Sequence, residues 1–124
     1  MKAYTDLEQS RKLAKILPLE SADMRIGNYV GKSGKVDGTN VHYYTKGESF
    51  GAPEIIYAWS LAALLDVLPD EVGDNHYLTL DKEGKEYCCC YEDINGNSFK
   101  HTFANNPIDA CYEMIIKLHE QNLL

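Results

Sequence analysis

The sequence lacks a long apolar run. Its most apolar helical segment is WSLAALLDVLP at residues 59–69, well short of the roughly 20 residues that a membrane-spanning helix needs. The first residues, MKAYTDLEQSRK, contain no apolar stretch of the kind that a secretory signal carries. We therefore expect a cytoplasmic protein with no membrane partner.

Clusters of basic residues are also missing. The chain has 12 Lys and Arg against 19 Asp and Glu, a net charge of −7. Its basic side chains are scattered, as in Arg11, Lys15, Lys32 and Lys46, whereas a nucleic-acid backbone is bound by clustered Lys and Arg. We expect no nucleic-acid partner. The acidic residues form no long runs, which argues against a mimic of DNA.

The spacing of the cysteines is poor for a disulfide framework. Three of the four are consecutive, Cys88, Cys89 and Cys90, and the fourth is Cys111. Neighbours on a strand point to opposite faces and cannot easily bridge. We interpret all four as reduced thiols, which fits a cytoplasmic protein.

Familiar catalytic motifs are absent too. No G-x-S-x-G, H-E-x-x-H or paired-carboxylate constellation stands out, and the glycine-rich GKSGKVDG at residues 31–38 lacks the spacing of a phosphate-binding loop. None of the four histidines has a partner in the sequence that makes a catalytic triad. We assign no catalytic residue and expect no cofactor. The histidines are His42, His76, His101 and His119.

What the chain does have is a strong central helix. Leu61, Leu64, Leu65 and Leu68 form one apolar stripe, Ser60 is a good N-cap, and Pro69 cannot continue the helix. A helix that is apolar nearly all round is normally buried. We expect the helix to lie in the core, with Asp66 marking the only edge of the helix that reaches water.

Two amphipathic helices flank it. The first is predicted at about residues 6–17, with Thr5 as N-cap, Glu8 completing a capping box, and Pro18 as the stop. The last should run from Pro107 to about residue 121, with Asn106 as its cap. Its apolar residues lie on one core-facing stripe.

Strands are predicted between these helices. Residues 24–30 and 41–45 favour a pair of strands across the glycine-rich loop, and residues 55–57 are suited to a short additional strand. A loop is predicted at residues 46–54. Three strands follow at 76–80, 86–92 and 98–103, separated by DKEGK and DINGN, both of which have strong turn chemistry.

These elements predict one α+β domain spanning residues 1–124. Three helices pack on one face of an antiparallel sheet of about four or five strands. The order of elements is α-β-β-α-β-β-β-α. The last three strands form a three-stranded meander because their short connections force antiparallel neighbours.

Alternation along the meander separates its side chains into two faces. The simplest sheet places Leu78, Leu80, Cys88, Cys90, Phe99, His101 and Phe103 inward. The opposite face then carries Tyr77, Tyr87, Cys89 and Tyr91, and tyrosine is enriched at interfaces. We predict a contact surface there. The alternative is that the 24–45 hairpin or solvent covers this face.

The inward set also contains possible metal ligands. Cys88 and Cys90 point the same way on a strand and His101 shares their face, with Cys111 as a further neighbour. Zinc sites, however, usually have cysteines at C-x2-C turns, and a buried cysteine behaves as a small hydrophobe. We therefore assign no metal and keep this set as the lowest-ranked alternative.

Three segments resemble a known family. LEQSRKLAKILPLESADM (7–24), WSLAALLDVLP (59–69) and NPIDACYEMIIKLHE (106–120) together look like a small family of uncharacterised proteins from gut Bacteroides-type bacteria. Its members often lie in phage-derived or mobile-element neighbourhoods. The resemblance implies a cytosolic bacterial or phage-encoded protein and carries over no catalytic residues.

The function expected from the sequence is a non-enzymatic protein-interaction or regulatory module. Its partner is another protein or a second copy of the chain. The acidic composition and the tyrosine-rich face support this expectation. The alternative is a small enzyme that uses Cys89 or a histidine in a loop-lined cleft, and Cys89 has no visible activating base.

Overall fold

A computed structural model describes the backbone of residues 1–30, 36–43 and 54–124, and the side chains of residues 1–26 and 56–124. Its described residues contain three α-helices and two antiparallel sheets, which confirms the α+β class. The chain divides into two compact units, Tyr4–Ala63 and Leu64–Leu124, the latter including Met1–Ala3. That the whole chain is one domain stays a prediction.

The unit Tyr4–Ala63 contains helix α1 (Leu7–Ile16), a short 3-10 turn (Leu19–Ser21) and strands β1 (Met24–Val30), β2 (Val36–Tyr43) and β3 (Glu54–Ala58). The strands form an antiparallel sheet in the order β2-β1-β3. The predicted strands at 24–30 and 55–57 are confirmed. The returning strand begins earlier than predicted, at Val36, so the end of the predicted 31–38 loop is strand. The described residues do not include 31–35 and 44–53. The rest of that loop and nearly all of the loop predicted at 46–54 fall in these two ranges.

The core of this unit lies on β1 and β3. Met24 and Ile26 pack with Ile56 and Ala58, and all four side chains are buried. The pairing of Met24 with Ala58 and of Ile26 with Ile56 places them on one face of the sheet. Helix α1 packs against β3.

The N-cap of α1 is Asp6, so the predicted Thr5 cap is wrong. The Asp6 carboxylate accepts from the backbone N–H of Gln9 at 2.8 Å, and the Gln9 side chain accepts from the Asp6 N–H at 3.1 Å. Thr5 is fully buried instead. Its Oγ1 accepts from the backbone N–H of Trp59 at 3.1 Å and lies 2.8 Å from the Ser10 hydroxyl. Sequence spacing cannot distinguish two adjacent capping residues when a distant segment engages one of them.

The central helix α2 (Leu61–Val67) ends before Pro69, as predicted. Ser60 caps it, since its Oγ accepts from the Ala63 N–H at 3.3 Å. Leu64 and Leu68 are buried, whereas Asp66 is exposed together with Ala62. The helix therefore exposes Ala62 to water in addition to Asp66, the one residue for which exposure was predicted.

The unit Leu64–Leu124 contains strands β4 (Glu71–Val72), β5 (His76–Glu83), β6 (Glu86–Glu92) and β7 (Ser98–Ala104), followed by helix α3 (Pro107–Glu120). The strands form an antiparallel sheet in the order β4-β5-β6-β7, which confirms the meander. Gly84, at φ +62°, supplies the left-handed turn between β5 and β6. Asp93 closes the next turn by accepting from the backbone N–H groups of Asn95 and Asn97, both at 2.9 Å.

The prediction of a single sheet is wrong, because the described strands form two. Strand β1 is paired on both edges, by β2 and β3, while β5 is paired by β4 and β6. The three-stranded and the four-stranded sheet therefore have no strand in common. Short loops predict local hairpins, but which hairpins share a sheet depends on long-range pairing that alternation does not encode.

Helix α3 forms as predicted. The Asn106 side chain accepts from the Asp109 N–H at 2.8 Å, and Pro107 occupies the first turn. The helix packs on β6 and β7 with Ile108, Cys111, Met114, Ile115 and Leu118 buried. One face of the meander is therefore covered by α3.

Candidate functional site: the outer face of the meander

The strand register assigns every meander side chain to a face, because directly paired residues of antiparallel strands lie on the same side. Leu80, Cys89 and Thr102 are aligned across β5, β6 and β7. One residue further along β6, Cys90 is aligned with Thr79 and His101. The two rows therefore lie on opposite faces.

The row that includes Cys89 faces helix α3. Thr102 Oγ1 donates to the backbone oxygen of Ala110 in α3 at 2.7 Å. The Cys89 thiol is fully buried, and its hydrogen bond with Cys111 of the helix, together with burial, raises its pKa. Tyr91 lies on the same face, is fully buried, and donates its hydroxyl to the Pro69 oxygen at 2.8 Å. Burial raises the pKa of Tyr91.

The predicted tyrosine-rich surface is therefore divided between two faces. Tyr77 is 49% exposed, Tyr87 is half-buried, and Tyr91 and Cys89 are inaccessible. Tyr77 pairs with Glu92, and Tyr91 pairs with Leu78, so the two tyrosines point to opposite sides. The prediction of which face of β6 packs on the helix is therefore wrong. The side chains on both faces of β6 are largely apolar, so alternation separates the two faces but does not indicate which one meets the helix.

We call the opposite side the outer face and define it by eight residues. They are Tyr77, Thr79, Asp81, Cys88, Cys90, Glu92, His101 and Phe103. Phe103 is 50% exposed, and the exposed His101 ring lies edge-on to it at 5.4 Å. Sequence reasoning placed both of these inward. Phe99, also placed inward, is 47% exposed beside the register shift of β7.

Thiols and carboxylates meet on the outer face. One ligand atom from each of Asp81, Cys90 and Glu92 lies within 4.8 Å of the other two. Cys90 Sγ donates to Glu92 Oε1 at 3.3 Å and lies 3.0 Å from Thr79 Oγ1. Cys88 hydrogen-bonds to Cys90 and so lies beside this group.

These surroundings keep the two thiols protonated. Cys90 is 1% exposed, and burial raises its pKa to about 12, with the Glu92 carboxylate adding to the shift. Burial also raises the pKa of Cys88, and the nearby carboxylates of Glu83 and Asp81 act in the same direction. Neither thiol is therefore a nucleophile at neutral pH.

The structure changes the predicted set of possible metal ligands. Cys88, Cys90 and His101 do share a face, as predicted. The ligand atoms that meet at Cys90, however, belong to Asp81 and Glu92. Cys111 is hydrogen-bonded to Cys89 on the helix side and is not near them. Sequence reasoning missed Asp81 because it treated DKEGK as a turn, whereas β5 extends to Glu83.

Cys89, the nucleophile of the alternative enzyme hypothesis, is poorly suited to that role. A reactive cysteine needs access and a lowered pKa. Cys89 is fully buried, and its pKa is raised. The geometry around Cys89 therefore gives that hypothesis no support.

The comparisons with known proteins add no relative. Neither the protein-family models, nor the curated proteins, nor the solved structures contain a match to this chain. Among the described residues, no helix is both long enough and apolar enough to cross a membrane.

Proposed function

We propose that this chain is a non-enzymatic, cytosolic protein-interaction or regulatory module that binds another protein through the outer face. The observation that carries the proposal is the exposure of aromatic side chains on the one meander face that α3 does not cover. Tyr77 and Phe103 are each about half exposed there. Aromatic side chains with accessible surface are typical anchors of protein interfaces.

The charges around these aromatics favour a partner with basic residues. Four carboxylates lie on this side of β5 and β6: Asp81, Glu83, Glu86 and Glu92. Two copies of the chain placed face to face would bring these like charges together, which disfavours binding. A different protein with Lys or Arg around an apolar centre is complementary to this face. A homodimer through the outer face is the contrasting arrangement.

The origin of the chain belongs to the same proposal. The resemblance of residues 7–24, 59–69 and 106–120 to bacterial proteins from phage-derived neighbourhoods supports a bacterial or phage-encoded module. A bacterial lysate, including that of a phage-carrying host, is therefore the appropriate source of partners.

The test is affinity capture with variants of the outer face. The wild-type chain is expected to retain a specific protein, and Phe103→Ser should reduce its retention about tenfold, the loss of roughly 1.4 kcal/mol of binding energy. Ile94→Ser is the matched control, because Ile94 is 95% exposed but lies in the turn after β6. Thermal unfolding of each variant checks that it remains folded.

Salt dependence and size supply the other half of the test. Electrostatic complementarity predicts that retention weakens as salt is raised. Light scattering should find a monomer at low salt. Equal loss of the captured protein from the Phe103→Ser and Ile94→Ser variants would contradict the proposal. A wild-type dimer that becomes a monomer in Phe103→Ser would contradict it as well.

A further inference from the structure

The outer face contains a second feature that protein binding does not require. Asp81, Cys90 and Glu92 place three ligand atoms within 4.8 Å of one another. Cys88, hydrogen-bonded to Cys90, adds a second sulfur. One thiol and two carboxylates from two neighbouring strands therefore form one group, and the Cys88 thiol lies beside it.

The register explains why these four side chains meet. Cys88 and Cys90 are two positions apart on β6 and so project from the same face. Asp81 is paired with Cys88, and Glu92 follows Cys90 at the next position on that face. The group is therefore fixed by a regular antiparallel ladder, not by a loop.

Cys90 is the most buried residue of the group. It is 1% exposed, whereas Asp81 is exposed and Glu92 is half-buried. Thr79 Oγ1 and Glu92 Oε1 fix the position of its sulfur, at 3.0 and 3.3 Å. The sulfur is buried, and it donates its hydrogen bond to the Glu92 carboxylate.

Within the part of the chain whose side chains are described, no ion pair offsets the negative charge of this group. Among the described side chains, neither Asp81 nor Glu92 forms an ion pair; Lys2–Asp109 and Lys12–Glu8 are pairs elsewhere in the chain. Lys82 and Lys100 belong to the face of the sheet that packs on α3. Carboxylates that converge without a counter-charge repel each other, and a bound cation removes this repulsion.

We propose that Asp81, Cys90 and Glu92 bind a zinc-type divalent cation on the outer face, with Cys88 as the fourth ligand. Thiolate sulfur selects zinc or cadmium over magnesium and calcium, and carboxylate oxygens complete tetrahedral zinc sites. Bond lengths of about 2.0–2.3 Å separate tetrahedral ligand atoms by about 3.5 Å. The ligand atoms lie within 4.8 Å of one another without a metal, and small rotations of the Asp81 and Glu92 side chains bring them to this shorter separation.

Binding displaces protons from the sulfurs. The metal–sulfur bond forms as the S–H bond of Cys90 breaks and its proton leaves to solvent, and the same exchange occurs at Cys88. No oxidant or reductant is involved. The affinity for the metal is therefore expected to rise with pH, because protons and metal compete for the same sulfur.

The test is a titration of the reduced chain with Zn²⁺, followed by calorimetry. We expect one equivalent to bind and the unfolding temperature to rise. Asp81→Asn and Glu92→Gln should each lower the affinity about tenfold or more, since even outer partners of metal ligands contribute that much. Glu83→Gln is the control, because Glu83 is exposed on the same side of β5 outside the group. Its affinity should equal that of the wild type.

Co²⁺ provides a readout specific to sulfur. A sulfur-to-metal charge-transfer band should appear on Co²⁺ addition and disappear in Cys90→Ser. A chain that binds no Zn²⁺ in the millimolar range, or binds Mg²⁺ equally well, would overturn the proposal, and so would unchanged zinc affinity in Asp81→Asn. Phe103→Ser should leave zinc binding intact, so the metal site and the protein-contact function succeed or fail separately.

Discussion

Cys89 and Cys90 are neighbours in the chain, yet their thiols lie on opposite faces of strand β6. The Cys89 thiol is hydrogen-bonded to Cys111 beneath helix α3, while Cys90 Sγ lies between Thr79 and Glu92 on the outer face. This relationship fixes the sidedness of the whole meander. It separates the packing face from the face that we propose for binding.

Stability at high pH follows from the Cys90 thiol. Burial raises its pKa to about 12 in the folded chain, against 9.0 for an unperturbed thiol. Above pH 9 the unfolded chain loses this proton while the folded chain retains it, so the free energy of unfolding should fall as pH rises toward 12. Below pH 9 the thiol is protonated in both states and contributes no pH dependence.

Urea unfolding at a series of pH values measures this effect. Cys90→Ser removes the titrating group and should make the decline between pH 9 and 12 shallower. Tyr91, whose pKa is also raised by burial, remains in the variant and accounts for part of the residual slope. Equal slopes for the wild type and Cys90→Ser would contradict the assignment.

A second prediction concerns the central helix. Leu64 is fully buried, so Leu64→Ala should lower the free energy of unfolding by about 2–5 kcal/mol through lost burial and the cavity left behind. Asp66→Ala, on the exposed edge of the same helix, should change it by no more than about 0.5 kcal/mol. Chemical denaturation compares them. A loss under about 1 kcal/mol at Leu64 would show that the core is misplaced.

The sequence predicted most of the local structure because local chemistry determines it. Pro69 ends α2, Asn106 caps α3, and Gly84 lies in the turn between β5 and β6. Each of these features depends on a few neighbouring residues. The boundaries of β6 were predicted without error for the same reason, since turn residues lie on both sides of it.

Features that depend on distant contacts were not predictable in this way. Thr5 and Asp6 are both good caps, and the hydroxyl of Thr5 is instead engaged by the Trp59 N–H and the Ser10 hydroxyl. The sidedness of β6 depends on α3, which begins well after that strand ends. The group around Cys90 needed the register of β5, which brings Asp81 opposite Cys88.

A third prediction tests the buried contact of Thr5. Thr5→Val keeps the shape of the side chain but removes the hydroxyl that the Trp59 N–H and Ser10 contact. A buried donor left without an acceptor costs about 1–3 kcal/mol. We therefore expect Thr5→Val to lower the free energy of unfolding by about that amount.

Glu8→Gln is the control for Thr5→Val, because Glu8 is exposed in the first turn of the same helix. Its stability should remain within about 0.5 kcal/mol of the wild type. Denaturant unfolding followed by Trp59 fluorescence reports on both variants. A Thr5→Val variant as stable as Glu8→Gln would mean that Thr5 does not hold Trp59.

The proposed contact surface is tested most directly by side-chain oxidation footprinting of the chain alone and with its captured partner. Tyr77 and Phe103 on the outer face should be protected by the partner, while Ile94, exposed in a turn, should be oxidised equally in both samples. We expect protection of the first two by about fivefold or more, as anchors at the centre of an interface are desolvated. Equal oxidation of Tyr77 and Phe103 with and without the partner would contradict the account.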